Sequence, residues 1–281
     1  CQKAAWKGGH KQECEELQQE RGTGSGRASA QEALRAALLG TTRPAVTTRQ
    51  ERVLDKMANL CDSGHFKDVV KMAEEGLAVA GELRSARPEA AAHIYEMLGR
   101  SYIDCLENVK GLGLLGQARA LAVCYTVETG DRSLLGDVLN SLGHYHRQQG
   151  EYKKAIAEYE QSRAIGVELG LRRGEAAVSN NLGMCYTSLK QYDKAVELLE
   201  QSLAIKEELG DRSGQASTRV CLGMCLSRHG QHDKAVACIK QAWAVYQELD
   251  SEQQDRTAEC LCLGEALWAQ ARAEHHQAAP D

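Results

Sequence analysis

Apolar and polar residues alternate along this chain at helical spacing, and the alternation itself recurs. The segments NSLGHYH (140–146), NNLGMCY (180–186) and VCLGMCL (220–226) place Leu142, Leu182 and Leu222 at two successive intervals of 40 residues. Thirteen residues after each Leu stands Ala155, Ala195 or Ala235. Four further on come Tyr159, Leu199 and Ile239, and three beyond those the small residues Ser162, Ser202 and Ala242. Each period holds two amphipathic helical patterns. They are separated at Gln149-Gly150, Leu189-Lys190 or His229-Gly230, and closed by ELG at 168–170, ELG at 208–210 or ELD at 248–250. No segment shows a convincing strand pattern.

The unit so predicted is a pair of antiparallel helices with a tight turn. A mid-helix glycine such as Gly143 or Gly183 costs about 1 kcal/mol relative to Ala. Its recurrence therefore needs a packing reason: a missing side chain lets the partner helix approach, with the small Ala155 and Ala195 receiving it. Gly170 and Gly210 fall where left-handed helix caps are wanted, and Asp131 and Asp211 follow as cap or turn residues for the next helix. One such pair cannot bury its apolar stripe alone, whereas a stack forms a continuous core. The expected fold class is all-α, a solenoid.

The expected organisation follows from where the period is clear. Units span about 88–130, 131–170, 171–210 and 211–250, preceded by a degenerate unit at 51–83 and followed by a capping helix at 254–276 and a disordered tail at 277–281. Leu98 of EMLGRSY lies 44 residues before Leu142, and GLGLLG (111–116) suggests an insertion at the inter-helix turn. In the degenerate unit, the turn glycine Gly64 and the following helix are kept, but Leu-Gly is not. Residues 15–50, with RGTGSGRAS, read as a polar, flexible linker.

The pattern resembles the tetratricopeptide repeat, in which Leu-Gly is followed by an aromatic three residues after the Gly, as from Gly183 to Tyr186 and from Gly99 to Tyr102. His146 and Leu226 depart from it. The 40-residue period, against about 34 for the basic repeat, together with ELGDRSGQA (208–216) and TGDRSLLGD (129–137), is most similar to the long repeats of Leu-Gly-Asn type G-protein signalling modulators. Kinesin light chains match less closely. The resemblance implies a right-handed superhelix whose first helices line a concave groove. Transferred position by position, it turns His93, Glu96, Met97, Arg100 and Ile103 inward from one unit, then Asp137, Asn140, Ser141, His144 and Arg147. Ala177, Asn180, Asn181, Met184 and Thr187 follow, and then Ser217, Val220, Cys221, Met224 and Ser227 with Arg228 adjacent. Asn140, His144, Arg147, Asn180, Asn181, Met184, Met224 and Arg228 are the peptide-binding candidates: amides can hydrogen-bond a peptide backbone, and methionines adapt to apolar anchors. The carboxylate clamp of chaperone-binding repeats needs two Lys, two Asn and an Arg. Only Asn181 matches where Asn140, His144, Ser217 and Cys221 fill the other places, which speaks against that partner.

The opening CQKAAWKGGHKQEC resembles the closing segment of a MYND-type zinc finger through Cys1-Gln2, Trp6, His10-Lys11 and Cys14. By that resemblance Cys1 belongs to one structural zinc and His10 with Cys14 to a second, the remaining ligands lying upstream in a longer protein. A structural zinc needs four ligands, so residues 1–14 alone are expected to hold zinc weakly if at all.

Composition narrows the function classes. The net charge of −5, with basic residues spread among acidic ones, argues against nucleic acid or anionic lipid as a partner. No apolar run reaches the roughly 20 residues of a membrane span, nor does a signal peptide open the chain, and a cytoplasmic protein is expected. The eleven irregularly spaced cysteines read as reduced thiols. Cys221, Cys225 and His229 form one helical stripe, but other units place Ser141, Tyr145 and Gln149 there, so the stripe reads as structural. No phosphate loop, G-x-S-x-G or HExxH occurs. The chain reads as a non-catalytic adaptor that binds a peptide of another protein. The alternative is an accessory region of an enzyme, such as a SET-type methyltransferase, whose catalytic domain precedes Cys1.

Overall fold

The structure, a computed structural model, describes residues 47–248. The zinc-finger residues Cys1, His10 and Cys14, most of the linker, the capping helix at 254–276 and the tail lie outside the described residues.

Eleven helices follow one another with three-residue or shorter turns over most of this length: α1 Thr48–Asp62, α2 Phe66–Lys71, α3 Ala73–Leu83, α4 Pro88–Asp104, α5 Asn108–Thr129, α6 Ser133–Gln148, α7 Tyr152–Glu168, α8 Arg172–Ser188, α9 Tyr192–Glu208, α10 Arg212–Arg228 and α11 His232–Glu248. α1 starts inside the expected linker because Thr47 and Gln50 form a reciprocal capping box: Gln50 N donates to Thr47 Oγ1 at 3.3 Å and Thr47 N to Gln50 Oε1 at 2.9 Å. From Pro88 onward the helices pair α4 with α5, α6 with α7, α8 with α9 and α10 with α11, and the second helix of each of the first three pairs packs on the first helix of the next. This is the expected all-α solenoid of antiparallel helix pairs.

The recurrent glycines work as close-approach points. A Cβ built on Gly143 would lie 2.6 Å from the Tyr159 ring, one on Gly183 2.6 Å from Leu199 Cγ and one on Gly223 2.8 Å from Ile239. The carbonyl oxygens of Ala195 and Ala235 stand 3.2 Å from the last two of these hypothetical atoms, and Ala155, Ala195 and Ala235 are wholly buried. The large residue 17 after each Leu thus lies across the glycine, burying a side chain for about 1.5–3 kcal/mol each. A second tie joins the helices of a pair: Ser162 Oγ donates to Gly136 O and Ser202 Oγ to Ala176 O, both at 2.7 Å and buried.

Turns are closed as expected by Gly150, Gly170, Gly210 and Gly230, all at positive φ. Lys190 takes the same left-handed conformation at φ 60° without being glycine. Asp211 Oδ1 accepts from Gly214 N, and Asp131 Oδ1 from Ser133 N. Arg132–Glu168, Arg172–Glu208 and Arg212–Glu248, at 2.8, 2.8 and 2.5 Å, repeat one exposed ion pair in each 40-residue unit, between the start of the first helix and the end of the second.

Two expectations are corrected. The insertion before Leu142 is not at the inter-helix turn: α4 and α5 join through three residues, Gly111 meets Gly99 in register, and α5 runs for 22 residues where α7 has 17. The excess lengthens the second helix by about one turn. In the degenerate unit, the second helix is interrupted at Met72, which ends α2 and begins α3.

Candidate functional site

The backbones of first helices of neighbouring units come close, α4 to α6, α6 to α8 and α8 to α10, whereas second helices of neighbouring units stand farther apart and meet through long side chains, Arg119 with Glu158 at 3.6 Å and Arg163 with Gln201 at 3.4 Å. A stack whose members are closer on one side curves toward that side. The first helices therefore line the inner wall of a trough, and α5, α7, α9 and α11 form the outer wall.

On that inner wall, Asn140, His144, Arg147, Asn180, Asn181, Met184 and Met224 are all half-buried, and Arg228 is exposed at the end of α10. The structure binds some of these to one another. Asn181 Nδ2 donates to Asn140 Oδ1 at 3.2 Å, joining α6 to α8, and Asn180 stands beside the thiol of Cys221 on α10. Met184 and Met224 lean on the apolar cluster around Leu199, Leu222 and Ile239 while keeping part of their surface open. Several neighbours transferred with them are not available to a ligand. Met97, Ile103, Ser141, Thr187, Cys221 and Ser227 are buried, Thr187 Oγ1 donates to Gly183 O of its own helix, and Ser141 Oγ donates to Glu96.

Charge is graded along the trough. Toward α4 it carries Glu96, Asp104 and Asp137, with Arg100 between them. Enclosure in the trough and the charges of Glu96 and Asp131 push the Asp137 carboxyl up to about 7, against the opposing pull of Arg100; its own surface still meets water, which moderates the cost. Asp104 is also raised, first by burial, and accepts from Gln148 at 3.2 Å. Burial, then the charges of Arg147 and Arg100, lower His144 to about 4, so its imidazole is neutral at pH 7. His144 Nδ1 stands 3.8 Å from Asp104 Oδ1 and has no hydrogen-bond partner.

The trough offers hydrogen bonding, charge and soft apolar contact rather than nucleophilic chemistry. Burial pushes the Cys185 thiol up to about 11 and raises Cys221 and Cys225, so these sulfurs stay protonated at neutral pH and are poor nucleophiles. Among the described residues, no group of three or more His, Cys, Asp or Glu side chains is arranged to hold a metal ion. The Cys221–Cys225–His229 stripe is structural: both thiols are buried and His229 stacks on Tyr192 at 5.1 Å between ring centroids. Among the described residues, no helix is long and apolar enough to cross a membrane.

Two residues of the site escape the sequence pattern. Asp104 lies outside the transferred groove positions, and the register marks Tyr159 only as a core position. The available signal is that Tyr159 stands where the sister units carry Leu199 and Ile239.

Comparisons with known proteins agree with this architecture. Residues 134–208 and 174–248 match the family model of the tetratricopeptide repeat. No curated protein matches the chain. Among solved structures, BtubC (BKLC) from P. vanneervenii is similar at 22% identity and TM-score 0.59, covering 77% of this chain and 94% of that one. A P. anserina putative kinesin light chain with nearly identical TPR-like repeats gives 21% identity and TM-score 0.51 over 72% and 94% of the two chains. Aspartyl phosphate phosphatase F from Bacillus subtilis gives 14% and 0.51 over 85% and 68%. At these identities the likeness is one of fold.

Proposed function

We propose that a tetratricopeptide-type solenoid spanning the described residues acts as a non-catalytic protein-interaction module, holding an extended peptide segment of another protein along the trough of its first helices. The carrying observation is the inner wall itself. Amides from successive units, half-exposed thioethers at Met184 and Met224, and cations at Arg100 and Arg147 stand on one continuous surface, and the thiols beside them are protonated. Such a surface supplies main-chain hydrogen bonding and side-chain pockets together, the two requirements for binding an extended segment. Protein binding without catalysis is also the general role of this repeat class.

The test is a positional-scanning peptide library applied to the chain and to two charge-matched variants. Met184→Lys, on the inner wall, is expected to weaken selected peptides at least about five-fold, as loss of an apolar contact worth about 1 kcal/mol or more would. Gln161→Lys, at an exposed site on α7, is expected to leave binding unchanged. Equal binding by all three proteins, or a larger effect at Gln161, would refute the assignment to the inner wall.

A further inference from the structure

One unit of the trough departs from its sisters in two places that meet. Five residues after the key Leu, the other units place Ile103, Thr187 and Ser227, all buried, with Thr187 Oγ1 bonded to its own helix. In this unit the residue is Arg147. Seventeen after the Leu, they place Leu115, Leu199 and Ile239; this unit has Tyr159, wholly buried with its ring lying over Gly143. Gly143 and Arg147 are one helical turn apart on α6, so the phenol that crosses the first reaches the second. The Tyr159 hydroxyl faces the Arg147 guanidinium and engages it from beneath, while the buried Arg147 Nε has no hydrogen-bond partner. His144 Nδ1 and Asn180 Oδ1 are likewise buried and unpartnered. No carboxylate among the described residues pairs with Arg147. Its charge is felt by Tyr159, Cys185, Cys221 and His144, on three successive first helices and on α7, and more weakly by the Asp104 carboxylate.

The sister units show that the fold does not require this arrangement, since Leu over Gly with Thr five residues on builds the same helix pair. Arg147 is half-buried, so while the phenol holds its guanidinium from below, the rest of the group stays open to the trough with hydrogen-bonding capacity for a ligand. Burial holds Tyr159 far above its ordinary range, which keeps its O–H a donor, and His144 is neutral. The cluster therefore offers the Arg147 charge, with Arg100 near enough to act on the same His144 and Tyr159, and neutral hydrogen-bonding groups, with Asp104 and Asp137 lying toward α4.

We infer that Arg147, positioned by the Tyr159 hydroxyl beneath it and with His144 beside it, forms an anion subsite that receives the side-chain carboxylate of an Asp or Glu within the bound segment. This rests on the peptide-holding reading and adds the partner's chemistry: an acidic residue opposite α6, followed toward α8 and α10 by residues that suit Met184 and Met224. It differs from the chaperone clamp, which spreads five polar residues over successive units, because it is built from one helix pair.

The test is the same positional-scanning library, made with amidated C-termini and read for residue preference as well as affinity. The wild-type chain is expected to enrich Asp and Glu at one position, with the preference falling as sodium chloride rises from about 50 to 500 mM. Arg147→Gln is expected to lower that acidic preference about ten-fold while leaving selection at the neighbouring apolar position intact, the size expected for a charge-assisted hydrogen bond. Arg147→Lys retains the charge without the planar fork and is expected to fall between. Tyr159→Leu, the residue of a sister unit, keeps the packing and is expected to reduce the preference several-fold. Peptides selected with no acidic position, or an acidic preference untouched by Arg147→Gln, would overturn the subsite and leave peptide binding standing. A preference seen only with free C-termini would overturn the side-chain assignment in favour of a chain end. Absence of any selected peptide would sink the functional reading itself.

Discussion

At Asp137 the trough holds a carboxyl well above its usual range, because the surrounding protein desolvates it, even though part of its own surface meets water, and Glu96 and Asp131 add like charge. The folded state therefore binds this proton more tightly than the unfolded state, and stability must fall as pH rises from about 4 through about 7. Asp137→Asn removes the titration. Its melting temperature is expected to exceed wild type at pH 8 and to converge on it near pH 4, as differential scanning fluorimetry across that range would show; a pH-independent difference would contradict an origin in the Asp137 proton. At this scale the sequence is least legible. Asn140, Asn181 and Arg147 can be assigned to the inner face by repeat register. That Asn181 spends an amide N–H on Asn140, or that Thr187 turns to its own helix, depends on rotamers that a one-dimensional pattern does not contain. Tyr159 is hidden for a similar reason, since a core position announces an apolar ring and says nothing of where its hydroxyl ends.

The helix pair is the level at which the sequence is most legible. Leu-Gly, the Ala thirteen residues after the Leu and the large residue four beyond it are one contact seen from both helices, and a 40-residue repeat exposes it three times over. The contact leads to a paired expectation. Gly183→Ala puts a methyl group 2.6 Å from Leu199 Cγ and 3.2 Å from Ala195 O, and should cost about 1–3 kcal/mol in urea unfolding. Gly116→Ala, on the exposed side of α5 with no atom within 4 Å of the new Cβ, should stabilise by about 0.5–1 kcal/mol. The same sign for both would mean that propensity, and not close approach, explains the recurrent glycines. What the sequence pattern misplaces is the extra turn of α5. A count of residues between landmarks records that length was added but not where, whereas the Gly99–Gly111 contact shows that the register survives well into the second helix.

For the molecule as a whole, stacking makes each unit depend chiefly on its neighbours. Weakening the α8–α9 pair by Gly183→Ala should raise amide exchange in α8 and α9, and less in α7 and α10, while leaving α1 to α4 as protected as before. Uniform acceleration from α1 to α11 would indicate a single cooperative unit instead. The curvature that places the trough follows from the asymmetry of contacts between first and second helices, which the repeat period alone could suggest only through family resemblance.

The added turn of α5 also has a practical use. It extends a helix that packs chiefly on α4 and α6, and just before it stands Cys124, whose thiol is exposed. A maleimide fluorophore attached there would report tumbling and partner capture from the back of the molecule, leaving the cradle in front unencumbered.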